Sequence, residues 1–477
     1  MLSSWVSKTI VYLVCSTWTL ATCEERSTGP FPPLLDATLD DLSQGLESGL
    51  FTSVDLVNAY VARIRETKET LNAVTEVNPD AVFIAASLDL IRQQGGPLLG
   101  PLHGIPVLIK DNIATADNMN NTAGSYALVG ARVPEDSTVA AKLRRAGAII
   151  LGKAHMSQWA DYRSTNSSAG WSTYGGQTRG AYYPDQDPSG SSSGSGVASS
   201  VGLAWASLGT ETFGSITLPC DVNNLAGIKP TVGLTSRYLV VPISEHQDTV
   251  GPMARTVKDA AHLLAAIVGP DSNDNYTTVL GADALVNLPE YFSKLAFNPY
   301  NITSVSELQN WTQNDPREEW PEKNTEIWEK TLSDGIQNTD PVFWEYYSRN
   351  QYLAGPQSYA GALRNYSLDA IVLPTQFVLV TAAVLGTPVV TVPFGRHPDN
   401  TTIVKNGVGN LNLVAPNLPF GIGFAGAPFS EETLISIAYA FEQKTQARTR
   451  IRPYIQPKTE LGDVVGRRVE RGPLADL

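Results

Sequence analysis

Apolar and polar positions along this chain follow two periods, and segments of each kind are interleaved. From Ser53 to Glu66, the residues Val54, Val57, Tyr60, Val61 and Ile64 recur at three- and four-residue spacing, which predicts an amphipathic helix. Ser137–Arg145 reads as a second helix. A third follows Ser430, with Glu431 and Glu432 in its first turn, where the helix dipole favours acids. Between these lie short, unbroken apolar runs: Val107–Ile109 behind a Gly104–Pro106 turn, Ala148–Leu151, Ile371–Thr375 and Pro388–Pro393. Runs of that length, rich in Val and Ile, predict strands. Strands and helices interleaved throughout predict an α/β chain, and no repeat, charge run or long Pro-rich linker divides it, so one large domain is expected.

The N-terminal stretch differs from the rest. Lys8 precedes the apolar run Ile10–Leu20, and Ala21, Thr22 and Cys23 lead out of it to Glu24 and Glu25. This is the layout of a secretory signal peptide, and the run is too short for a bilayer, which needs about 20 apolar residues. Residues 1–23 are therefore expected to be a signal peptide, and the protein to be secreted or in the secretory pathway. The competing reading is a buried N-terminal helix or strand. Asn-x-Ser/Thr sequons at Asn120, Asn166, Asn275, Asn301, Asn310, Asn365 and Asn400 offer glycan acceptors in such a compartment. Cys15, Cys23 and Cys220 are too few and too scattered for a disulfide framework or a zinc site, which leaves stability to a buried core.

Composition narrows the function. The 477 residues hold 34 Lys+Arg against 47 Asp+Glu, a net charge of −13, with 42% hydrophobic and 17% charged residues. The apolar fraction argues against disorder. An acidic chain without a Lys/Arg-rich run lacks the footprint of a nucleic-acid binder, so no such partner is expected. After the first two dozen residues, no segment is apolar enough to cross a membrane. Without a His-Glu-x-x-His pattern, paired carboxylates or a Cys/His cluster, no metal or cofactor is expected.

The most unusual stretch is Pro188–Gly196, PSGSSSGSG, with GTETFGSI following from Gly209 to Ile216. Composition alone reads the tract as a flexible linker, yet it sits inside the α/β region rather than between two separable ones. Gly190–Gly194 also fits the G-x-S-x-G nucleophile elbow, but the apolar strand that must precede an elbow is missing. His246, His262 and His397 lie downstream as triad bases without a distinctive context. A third reading joins the tract to LHGIPVLIKDNI (Leu102–Ile113), AGIKPTVGLTSR (Ala226–Arg237) and QDTVGPMARTVKDAA (Gln247–Ala261). In order and spacing these segments resemble the amidase signature family, from about residue 35 to about residue 455, and most closely its peptide-amidase-like branch.

The resemblance implies a single amidase signature domain over 24–460, with a mixed β-sheet core covered by helices on both faces and a tail at 461–477. It implies hydrolysis of a carboxamide in a small molecule or peptide, through an acyl-enzyme. Ser215 would be the nucleophile, Ser191 in a cis peptide would relay the proton, and Lys110 would be the base. Backbone N–H groups of Thr212, Phe213, Gly214 and Ser215 would form the oxyanion hole. A lysine accepts a proton only when neutral, and burial behind Val107, Leu108 and Ile109 lowers its pKa, while the adjacent Asp111 would oppose this if it faced the amine. His103 and His155 read as scaffold, and Asn120 as an unused sequon near the substrate site.

Two departures from the family stand out. Phe213 occupies a position that is Asp in the peptide-amidase-like branch, and a βα segment that relatives carry after about residue 275 is absent. They motivate an alternative reading, a catalytically impaired amidase-fold protein that binds or scaffolds. A third reading, the glutaminase subunit of a tRNA amidotransferase, fits poorly with the signal-like N-terminus and the acidic charge.

Overall fold

The computed structural model describes residues 30–274, 284–337 and 339–471; the expected signal peptide and the sequon at Asn275 lie outside the described residues. Among the described residues, a nine-stranded mixed sheet forms the centre. Its strands run in the order Val74–Val77, Ile149–Ala154, Pro106–Lys110, Ala206–Glu211, Thr249–Ala254, Ala226–Lys229, Val389–Arg396, Pro419–Ala425 and Ile371–Pro374. Pro106–Lys110 is parallel to both of its neighbours, and the other adjacent pairs are antiparallel. Helices flank this sheet. All five residues of Pro106–Lys110 are buried, which explains its continuous apolar run: a strand covered on both faces has no solvent side to mark.

The expected helices form with small shifts at their ends, as Ser53–Thr67, Thr138–Arg145 and Glu431–Thr445. Thr52 and Asp55 make a reciprocal capping box at the start of the first, satisfying N–H groups that would otherwise be orphaned.

The Ser/Gly tract is no linker. Ser193–Ser200 is a helix whose eight residues are all buried. Small side chains let it lie close to its neighbours: a Cβ on Gly194 would stand 2.2 Å from the carbonyl oxygen of Ala73 and 2.4 Å from the nitrogen of His155. Its serines fasten it to the strand Ala206–Glu211, Ser195 Oγ donating to the Leu208 carbonyl at 3.0 Å and Ser199 Oγ to Ser207 Oγ at 2.8 Å. Buried hydroxyls must be paired, and here they pair in register with the sheet. Nor is there an elbow, because no strand leads into Gly190.

The stretch expected as a tail differs too. Leu461–Arg471 is a helix with Leu461 fully buried, and it packs on Ser53–Thr67. Arg63, inside that first helix, donates to the Thr459 carbonyl at 2.6 Å and pairs with Glu460 at 3.0 Å. Residues beyond 460 thus continue the packed body. At the far edge of the sheet, Ile371–Pro374 pairs, among the described residues, only with Pro419–Ala425, and Val372 is 46% exposed. The chain after 284 is nonetheless well anchored: Leu288, Tyr291 and Phe292 pack with Trp159 and Trp328 in a second apolar cluster.

Candidate active site

Three elements meet where the parallel strands end. Lys110 closes its strand, Ser191 stands at the entry to the buried Ser193–Ser200 helix, and Ser215 lies in the turn between Ala206–Glu211 and Thr217–Val222. Lys110 Nζ is 2.8 Å from Ser191 Oγ, which is 3.1 Å from Ser215 Oγ. The Gly190–Ser191 peptide is cis. Lys110 and Ser191 are wholly buried while Ser215 is 8% exposed, so the outer hydroxyl meets solvent and the amine does not.

Burial lowers the Lys110 pKa to about 7; Asp161, then Asp248 and Glu211, act against this by favouring the charged amine. Asp111 takes no part. Its carboxylate accepts from Thr122 Oγ1 and from the Thr122 N–H at 3.2 Å, and its principal charge partner is the buried Lys153. Thr210 holds the amine in place: its carbonyl oxygen and Oγ1 accept from Lys110 Nζ at 3.1 and 2.9 Å, and Asn112 Nδ2 donates to the same hydroxyl at 3.0 Å. Serine hydroxyls rotate, so the Lys110–Ser191–Ser215 chain of contacts supports proton movement in either direction.

The turn carrying Ser215 is held from below. Glu211 accepts from the N–H groups of Ile216 at 2.8 Å and Thr217 at 2.9 Å, and the Ser215 carbonyl accepts from Ser192 N at 3.2 Å. Gly214 adopts φ +76, and a Cβ there would lie 2.8 Å from Leu218 Cδ1, so both conformation and room call for glycine. Among the described residues, none of the N–H groups of Thr212, Phe213, Gly214 and Ser215 donates to a protein acceptor. Four unspent donors beside a hydroxyl are suited to stabilising an oxyanion. Phe213 is 50% exposed, and Thr212 Oγ1 donates to Asp248 at 2.6 Å.

His103 and His155 are structural. The first bonds to Leu99 N and the Leu88 carbonyl, the second to Ser172 Oγ, Thr178 Oγ1 and the Asn72 carbonyl. Asn120 is half-buried with its Nδ2 on Glu76, whereas Asn166, Asn301, Asn310, Asn365 and Asn400 are exposed. No helix of the described residues is long and apolar enough to cross a membrane.

Sequence reasoning missed the scaffold of the adjoining loop, Ser157–Arg163. Glu318, fully buried, accepts there from Arg163 at 2.8 Å, Gln158 Nε2 at 2.6 Å, Ser125 Oγ at 2.8 Å and Tyr126 N at 2.8 Å. Glu318→Ala is expected to destabilise the protein by about 3–5 kcal/mol in chemical denaturation, because it strands the buried Arg163 charge. A loss of less than about 1 kcal/mol would mean that the pair contributes no more than an exposed one.

A model of the Amidase family matches residues 55–313. A protein of Arthroderma benhamiae that carries the name of an amidase is 45% identical over 91% of this chain and 90% of its own. That alignment extends over 533 residues, so it includes stretches of the relative with no counterpart here. Among solved structures, the native peptide amidase from Stenotrophomonas maltophilia superposes with a TM-score of 0.76 at 33% identity, over 89% of this chain and 99% of that one. The peptide amidase PAM bound to the competitive inhibitor chymostatin gives 0.77 at 33% identity, over 88% and 99%.

Proposed function

The chain belongs to the amidase family, and from that premise we propose that it hydrolyses a carboxamide with Ser215 as nucleophile, Ser191 as relay and Lys110 as base. The observation that carries the proposal is the unbroken line from a buried, neutral-prone amine through Ser191 to the Ser215 hydroxyl.

In acylation, Ser215 Oγ attacks the amide carbonyl carbon as its proton passes to Ser191 and the Ser191 proton passes to Lys110. The carbonyl oxygen, now an oxyanion, receives the N–H groups of residues 212–215. When the C–N bond breaks, the departing nitrogen takes a proton from Ser191, which is restored by Lys110, and ammonia or an amine leaves. Water, deprotonated through the same relay, then attacks the Ser215 ester. The acid departs and Ser215 recovers its proton.

A fluorophosphonate is expected to label Ser215. Well-folded protein that takes no label would instead support the non-catalytic binding or scaffold reading. Entry into the secretory pathway is part of the same proposal, supported by the order of charge, apolar run and small residues at 1–23 and by the exposed sequons. Protein secreted from a eukaryotic host is expected to lose mass on treatment with an N-glycosidase; an unchanged mass would contradict glycosylation.

A further inference from the structure

The loop that ends in Arg163 brings a carboxylate beside the Lys110–Ser191–Ser215 relay by an unusual backbone route. Trp159, Ala160 and Asp161 have φ of +52, +57 and +67 in succession. Left-handed backbone at non-glycine residues is unfavourable and persists where packing enforces it. Here the Trp159 N–H donates to the Ala123 carbonyl at 2.9 Å, and its ring packs edge-on against Phe292 and Trp328. The strained run sets the Asp161 carboxylate beside the residue that precedes the relay serine. A Cβ built on Gly190 would lie 2.8 Å from Asp161 Oδ2 and 2.6 Å from Ser157 Oγ, so only glycine leaves the carboxylate its place.

Asp161 is also exposed, although the walls around its carboxyl push the pKa up to about 6. Its place beside Gly190 puts this carboxyl next to the relay, and at neutral pH it is ionised. The charges facing it are Lys110, which favours its ionisation, and Asp187, which opposes it. The hydrogens of Lys110 go to Ser191 and Thr210, and Asp161 is bonded to Ser157, so its charge is not matched by an ion pair among the described residues.

We infer that Asp161 is a specificity-determining carboxylate that receives an ammonium group carried by the substrate beside its scissile amide. The inference rests on Ser215 being the nucleophile, because it is the nearness of Gly190–Ser191 to Ser215 that places a bound amide within reach of both groups. A charge-assisted hydrogen bond discriminates between an ammonium and a neutral isostere, since a bound isostere covers the carboxylate and leaves it without a partner.

The test is the rate at which Ser215 is labelled by two short alkyl fluorophosphonates, one ending in an ammonium and the other in a methyl group. Asparagine tolerates left-handed φ, so Asp161→Asn keeps the loop. Measured well above the Lys110 inflection, where the base is neutral in both proteins, the ratio of the cationic to the neutral labelling rate is expected to fall about tenfold or more in the variant. Intrinsic probe reactivity cancels in this comparison. An unchanged ratio, or equal slowing of both probes, would overturn the inference while leaving Ser215 as nucleophile. Failure of both probes to label Ser215 in the parent would overturn the two together.

Discussion

Ser215→Ala is expected to lower kcat for any amide substrate by a factor on the order of 10^4 to 10^6, with little change in stability. In the proposed mechanism the loss is large because nucleophile, relay and base act as one unit, and without the oxygen that forms the ester the rest of the chain has no bond to make. Stability is spared because the substitution removes a single hydroxyl, whose side-chain neighbour is Ser191 Oγ at 3.1 Å. The turn itself is held by Glu211 and by the Ser192 N–H, neither of which needs the Ser215 side chain. Steady-state kinetics alongside thermal unfolding checks both halves. Turnover within tenfold of the parent would remove Ser215 from the mechanism.

The second large effect concerns Lys110. Burial lowers its pKa to about 7 in the folded enzyme. The amine is therefore charged and inactive as a base below that value, and neutral and competent above it. In the parent, kcat/KM is expected to rise with pH through about 7 and then level off. Lys110→Met fills the same buried space without a titrating group. It is expected to cost about 10^2- to 10^4-fold, the range general-base catalysis contributes, and to abolish that inflection, leaving a residual rate that climbs toward alkaline pH. A pH–rate profile of the variant that keeps the parent's inflection would assign it to another group. Asp161, the charge acting most strongly on Lys110, supplies a cross-check: Asp161→Asn removes an anion that favours the ammonium form, so it should move the parent's inflection to lower pH.

Much of this arrangement was legible in the sequence, and for physical reasons. Pro106–Lys110 could be read because a strand buried on both faces must be apolar along its length, and the lysine ending it stood out against that run. Ser191 and Ser215 were found only through their resemblance to a family; composition pointed the other way, to a linker. Small residues mark a flexible segment in solvent and a close-packed helix in a core alike, and nothing local separates the two until Gly194 meets the backbone of Ala73 and His155.

Asp161 and Glu318 carried no signal. The first depends on a left-handed run held by Trp328 and Phe292, the second on gathering donors from Ser125, Gln158 and Arg163, all distant in sequence. The helix at 461–471 was missed for the same reason, since Arg63 and Leu461 tie it down across nearly the whole chain. Phe213, a departure from the family's side chain, leaves unspent the backbone donors that the oxyanion would need.

Acid-quenched mass spectrometry during turnover of an activated ester tests the central assignment most directly. An acyl mass on the peptide containing Ser215, absent from Ser215→Ala and accumulating when deacylation is slow, is the predicted result. Turnover without a covalent adduct under those conditions, or an adduct on Ser191 instead, would contradict it.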